Sequence, residues 1–335
     1  MKKLHNILYI LLGVMIILNS CHREDFPSHQ IPTESDCPIE FSPISASLET
    51  KTDASATIED FKVWASNKVN NVDNYNVFGS EGTDVRKSGS DWVYSPVRYW
   101  QSSDYSFYAV SPIEISTSIP ISGTLANTGL SIHFGEKVDG SYTGWDLSSN
   151  QVDLLLASEQ NVTTRLNATN TPVDLAFDHL LSKITFTAKN AATEDVDIIV
   201  TGIKIYGNQK VVTGFSSTWI LGAKSTGEDP FINHTLSQPV TLSKTEPKLI
   251  SPDVLVFPLM ESATYVEVTL KHTVNSTTGY TKSAMIPMTS SWKSGKQYNY
   301  VINVTPDHIG FGTVSITSWD DNEGDGYSAD DEIEF

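Results

Sequence analysis

Side chains able to do covalent, acid–base or metal chemistry are sparse in this sequence, and each stands in a context that limits what it can do. His179 follows Asp178 in Phe177-Asp178-His179-Leu180, a pairing from which a general base or a metal ligand could be built, but no second histidine lies near it in sequence. Farther on, Asp321, Glu323, Asp325, Gly326 and Glu332 fall at positions 1, 3, 5, 6 and 12 of a calcium-loop pattern. Glu323 stands where Asp or Asn is usual, Ser328 where an apolar residue is usual, and no helical periodicity flanks the run. A solvated acidic tail over 321–335 is the plainer reading, and the expectation is no metal and no cofactor. Neither Gly-x-Ser-x-Gly, His-Glu-x-x-His nor a phosphate loop occurs, so an enzyme is not expected. The sequons headed by Asn161, Asn167, Asn233, Asn275 and Asn303 read as loop and strand polar residues.

The cysteines point to covalent chemistry of another kind. Lys2 and Lys3 precede the apolar run Ile7–Leu18, and small polar residues then lead to Cys21, which is the three-part order of a signal peptide. That run is too short for the roughly 20 residues that cross a bilayer core. Leu18-Asn19-Ser20-Cys21 has the form of a lipobox, so cleavage before Cys21 is expected to leave it as a lipid-modified first residue. Acyl chains at roughly 0.8 kcal/mol per buried CH₂ make such an anchor effectively permanent. Glu24 and Asp25 just beyond it resemble the signal that sends lipoproteins to the outer face of the outer membrane. With only Cys37 besides, there is no disulfide framework and no cysteine-based zinc site.

Residues 1–20 hold Lys2 and Lys3 and no acid, so the chain from Cys21 carries 20 basic and 40 acidic side chains, net −20. Without a basic stripe to neutralise phosphates, nucleic acid is excluded as a partner, and the acidity serves solubility at a crowded surface. A chain of this length is expected to form two domains, each able to bury a core.

The elements that must position these residues are strands. Period-two alternation runs through Tyr105-Ser-Phe107-Tyr-Ala109, Ile203-Lys-Ile205, Val266-Glu-Val268-Thr-Leu270 and Tyr298-Asn-Tyr300-Val-Ile302-Asn-Val304, and no long amphipathic helix follows the signal peptide. Pro27, Pro32 and Pro38 among polar residues mark 21–40 as an extended tether. Ser/Thr/Asn/Gly-rich stretches divide the rest into short strands, as in β-sandwiches. The domain junction is expected near Asn170, giving an N-terminal sandwich over 41–170 and a C-terminal one over 171–320. Trp92, Tyr94, Tyr99 and Trp100 fit core packing better than a stacking platform for sugars, although the second use makes a surface glycan-binding lipoprotein the alternative function.

Taken in order, several segments resemble one family. They are Trp92-Val-Tyr94-Ser-Pro96-Val-Arg-Tyr99-Trp100, Tyr105-Ser-Phe107-Tyr-Ala-Val-Ser-Pro112, Val152-Asp153-Leu154-Leu155-Leu156-Ala157, and Leu175-Ala-Phe177-Asp-His179-Leu-Leu-Ser-Lys183-Ile-Thr-Phe186. Val256-Phe257-Pro258, Trp292-Lys-Ser-Gly295-Lys296-Gln-Tyr298-Asn-Tyr300 and Val314-Ser-Ile-Thr-Ser-Trp319 complete the set. After a lipobox, and over roughly 41–320, this order is similar to the fimbrillin family, the Mfa-like subunits of type V pili. The resemblance implies two tandem transthyretin-like β-sandwich domains, a structural role for His179 at a strand turn, and partners that are other fimbrillin-like subunits, with a host or bacterial surface ligand for adhesion. It also implies polymerisation by donor-strand exchange, in which a protease removes the N-terminal strand after an arginine or lysine and a neighbour's strand fills the vacated groove. The segment to watch is Ile39–Leu48, and Lys51 in Thr50-Lys51-Thr52 is the matching cleavage position. A lysine there escapes an arginine-specific protease, and an uncut chain stays anchored through Cys21.

Overall fold

In the computed structural model, the structure describes residues 37–45, 58–163, 171–215, 218–221, 229–258, 265–272, 279–286, 292–319 and 332–334. Cys21, Lys51, Asp321, Glu323 and Asp325 lie outside the described residues. Among the described residues every regular element is a strand, as the alternation predicts, and no helix is long and apolar enough to cross a membrane.

Among the described residues the strands form four larger sheets and a two-stranded ribbon. The first sheet runs, from edge to edge, Phe41–Ser45, Val173–His179, Leu155–Val162, Tyr105–Ser111, Asp60–Val69, Thr83–Ser88 and Asp91–Val93, with Val72–Asn74 hairpinned onto Asp60–Val69. It is covered on both faces, because side chains alternate across a pleat. Phe61, Val63, Ala65, Phe107 and Ala109 face one core, while Trp64 and Val110 face the other. The second core lies against a sheet of Trp145–Asp146, Lys210–Phe215, Gly129–Phe134, Ile119–Ala126 and Glu114–Ser116. Trp64 fits there between two glycines: a Cβ would come within 2.5 Å of its ring at Gly82, whose φ is +76°, and within 2.8 Å at Gly123. Both positions must therefore lack a side chain.

In the later part of the chain, a sheet built on Ser182–Asn190, Lys296–Val304 and Ile309–Ser318 stacks on one built on Ile232–Thr241, Ile198–Tyr206, Tyr265–His272 and Tyr280–Met285. They share one apolar core, with Ile184, Phe186, Tyr300 and Ile302 from the first and Val200, Ile203, Val268 and Leu270 from the second. That is a β-sandwich in the ordinary sense.

The division of the chain differs from the junction expected near Asn170. Val173–His179 pairs antiparallel with Leu155–Val162 and parallel with Phe41–Ser45, so it belongs to the first sheet, and the chain crosses over only at Leu180–Leu181. Lys210–Phe215 then returns to pair with Gly129–Phe134 and Trp145–Asp146. Alternation identifies a strand but not its partner, and both pairings are non-local. Leu181, Val211 and Phe257 consequently join Trp145 and Phe134 in one core that both parts of the chain build.

One pH effect arises in the second sheet. The His133 ring stacks on Tyr142 at 4.3 Å, with Nδ1 3.2 Å from Thr213 Oγ1. Burial, and then the charge of Lys137, lowers its pKa below the ordinary 6.5. The fold therefore prefers the neutral ring, and its contribution is present above the unfolded pKa and lost as pH falls through the lower folded pKa. Urea unfolding should show a midpoint that drops from about pH 7 to about pH 5, and His133→Gln should make that drop smaller. An unchanged pH dependence in the variant would contradict the assignment.

Candidate functional site: the groove under the leading strand

Cys37, Ile39 and Phe41 alternate with Pro38 and Glu40, and the structure turns the first set inward. Ile39 is 0% exposed and Phe41 4%. Cys37 and Ile39 are thus core and residues 37–40 are packed against the sheet rather than tether, which shortens the expected extent 21–40: three prolines drew that boundary, but the apolar alternation begins at Cys37, before the last of them.

The segment is held on two sides in succession. Trp100 N donates to Cys37 O at 3.0 Å and Ile39 N to Arg98 O at 2.8 Å, around an antiparallel bridge from Pro38 to Tyr99. The chain then changes partner: Val173 N donates to Glu40 O at 2.7 Å, and Phe41 to Ser45 run parallel to Val173–Phe177. Tyr94 locks the crossover, its hydroxyl donating to Ile39 O at 2.7 Å and accepting from Arg98 N at 3.3 Å. Burial pushes the Tyr94 pKa up to about 12, so the hydroxyl keeps the proton it donates.

Phe41 sits in an aromatic box. Its ring centroid is 5.8 Å from Phe61, 5.7 Å from Phe78, 5.8 Å from Tyr94 and 5.8 Å from Phe107, all edge-on or tilted. Such pairs add about 0.5–1.5 kcal/mol each beyond the area they bury. Yet this strand is the outermost of its sheet, with Val173–His179 as its one sheet neighbour. Lys51 falls in the connection to Asp60–Val69, between Ser45 and Ile58, outside the described residues. A cut there would leave 37–45 attached by hydrogen bonds and burial alone, and its loss would bare a sheet edge and four aromatic rings, a surface that recruits another strand.

The other residues singled out in the sequence are not gathered here. His179 Nδ1 lies 2.9 Å from Asp153 Oδ2, and its ring stacks on Trp319 at 4.0 Å and 4°, with Lys183 Nζ 5.1 Å from the same indole. Since Trp319 N also donates to Gly295 O at 2.9 Å and Gly295 N to Leu181 O at 2.9 Å, His179 braces the crossover between the sheets. Among the described residues no group of three or more His, Cys, Asp or Glu could hold a metal ion. Glu332 lies in the strand Glu332–Glu334, which pairs with Thr313–Ser315. Of the four neighbouring aromatics, Trp100 is fully buried against Tyr105 and Phe107, Trp92 and Tyr94 pack on the same core, and Tyr99 is exposed. The sequence offered no sign of Phe78 as a wall of the box, because its partners are remote along the chain.

The fold is similar to a fimbrial protein from Bacteroides vulgatus, at 18% identity and a TM-score of 0.58, over 84% of this chain and 99% of that one. A candidate cell adhesion protein from Bacteroides ovatus, also 18% identical and covering 84% of this chain and 97% of its own, gives a weaker TM-score of 0.47. No curated protein matches the chain. A family model described as fimbrillin-like matches residues 49–319, and the chain belongs to the fimbrillin-like family.

Proposed function

We propose that this fimbrillin-like chain is a non-catalytic surface lipoprotein, tethered to the outer membrane through Cys21, that joins other fimbrillin-like subunits by exchanging the strand 37–45, and that the resulting fimbria supports adhesion. The observation that carries this reading is the leading strand itself: an edge strand with Ile39 and Phe41 fully inside the core, on a connection that contains Lys51. Cleavage after Lys51 releases the strand together with the lipid, so the anchor is temporary and its loss opens the groove.

The sequence also supplies a replacement. Ile39-Glu40-Phe41 recurs as Ile333-Glu334-Phe335, the same apolar, acidic, apolar triplet, whose period of two suits a strand with one buried face. Among the described residues, Glu332–Glu334 pairs with Thr313–Ser315 over three residues. That short ladder is cheap to release compared with a groove built to take an isoleucine and a phenylalanine. Head-to-tail donation of this segment between identical chains does not close, so a filament follows.

The register can be tested. If Ile333 takes the place of Ile39, Glu332 falls opposite Tyr99, where Pro38 is now bridged. A chain carrying Tyr99→Cys and Glu332→Cys should form disulfide-linked ladders in assembled material and none as monomer. Assembled material that shows no such link would contradict this register.

A further inference from the structure

Beside the bridge between Pro38 and Tyr99 the surface carries a second feature. Asn74, Asn76, Arg98, Tyr99, Gln101 and Tyr105 line an open depression of about 400 Å³. That volume is within the range of small-ligand sites, roughly 300–1,000 Å³.

Its polar groups are fixed in place. Buried Asn67 accepts from Asn74 Nδ2 at 2.9 Å and donates through its own Nδ2 to Gln101 Oε1 at 3.2 Å. Asn74 Oδ1 accepts from Asn76 N at 3.1 Å, and Tyr105 Oη accepts from Gln101 N at 3.0 Å. This relay sets which way the amides face. Gln101 is left with its whole NH₂ to donate, and Asn74 with one amide hydrogen.

Arg98 stands out in a chain where acids outnumber bases two to one from Cys21 onward. Its Nε is shielded from solvent without a hydrogen-bond partner, and among the described residues no carboxylate pairs with its guanidinium. A guanidinium partly withdrawn from water and left without an acceptor is costly unless something completes it. The acceptor that suits its planar fork is a carboxylate. Beside it the Tyr99 ring is 43% exposed and offers a flat apolar face, while the amides supply donors and acceptors for neighbouring hydroxyls.

We propose that this depression binds a single acidic sugar, its carboxylate on Arg98, its ring face on Tyr99 and its hydroxyls on Asn74, Asn76 and Gln101. The net charge of −20 opposes long polyanions, so the ligand is a single or terminal residue rather than a charged polymer. The segment meets Arg98 and Tyr99 through the main chain, at the Ile39 N to Arg98 O bond and the Pro38–Tyr99 bridge, so a strand seated there leaves both side chains to the ligand.

Saturation-transfer NMR and calorimetry on the full chain would decide it, with glucuronic acid, N-acetylneuraminic acid, glucose and acetate as probes. Binding of at least one acidic sugar is expected, with the two arms distinguishing a uronic from a sialic acid, and no binding of glucose or acetate. Arg98→Gln, which keeps the main-chain bonds to Ile39 and hence the melting temperature, should weaken binding by about tenfold or more. Tyr99→Ala should weaken it while leaving the acidic preference intact. Absence of binding by both acidic sugars, equal binding of acetate or glucose, or full affinity in a folded Arg98→Gln chain would each overturn the proposal.

Discussion

Replacing Phe41 by alanine is expected to weaken the docking of the leading strand by about 3–5 kcal/mol, the range for emptying a phenylalanine site in a close-packed core. The ring is 4% exposed and touches Phe61, Phe78, Tyr94 and Phe107, so four partners lose contact at once. Little can collapse into the space, because Phe61 and Phe107 are held by Asp60–Val69 and Tyr105–Ser111, central strands of the same sheet. Because the strand is at an edge, the loss falls on local opening before it falls on the whole molecule. A change of that size raises the open population by roughly two to three and a half orders of magnitude. Hydrogen exchange at the Val173 amide, which now donates to Glu40 O, should accelerate accordingly. Ile44, on the same strand but 40% exposed, is the control, and its alanine variant should change stability by no more than about 0.5 kcal/mol. Equal effects at the two positions would show that the aromatic box does not hold the strand.

The second large effect is expected at Trp145, where the two parts of the chain meet. Its indole is fully buried, 5.3 Å from Phe134 and 5.1 Å from Phe257, and Nε1 donates to Asn150 O at 3.0 Å. Trp145→Ala removes one of the two fully buried indoles of the core shared by both parts and leaves that carbonyl without its donor. A loss of about 3–5 kcal/mol follows, to be read from urea unfolding by near-ultraviolet circular dichroism. The surrounding polar bonds run between the same parts: Leu147 N donates to Gln209 O at 3.0 Å, and Leu255 N to Gln151 Oε1 at 2.7 Å. Damage at Trp145 should therefore lower the stability of both cores together. A variant losing less than about 1 kcal/mol would mean that the junction is not a load shared between them.

Both sites show what local pattern carries and what it does not. The strands around Tyr105–Ala109 and Tyr298–Val304 were legible because one buried face imposes a period of two, and the inward turn of Ile39 and Phe41 follows the same rule. Pairing was not legible. Nothing local in Val173–His179 says that it lies beside Phe41–Ser45, and nothing in Lys210–Phe215 says that it returns to Gly129–Phe134. These partners are chosen by the fit of remote surfaces, as Trp64 is by Gly82 and Gly123. The same limit applies to the groove. The sequence marked the plug and a basic residue after it, whereas the walls, Phe61, Phe78, Tyr94 and Phe107, came together only in three dimensions. Tyr94 illustrates the gain: as one of four clustered aromatics it suggested packing, and in place it is also the hydroxyl that ties Ile39 to Arg98.

The repeated triplet gives the account its economy, since one pocket and two matching segments suffice for both storage and assembly. Before cleavage the chain fills its own groove with Ile39 and Phe41. In the proposed assembly, cleavage would let the same groove take Ile333 and Phe335 of a neighbour, and a lipid carried on Cys21 would leave with the segment that has been replaced. Mass analysis of the surface-exposed protein tests this most directly: the account predicts a chain beginning at Thr52, found in high-mass ladders that resist denaturation, and an acylated Cys21 present only as monomer would contradict it.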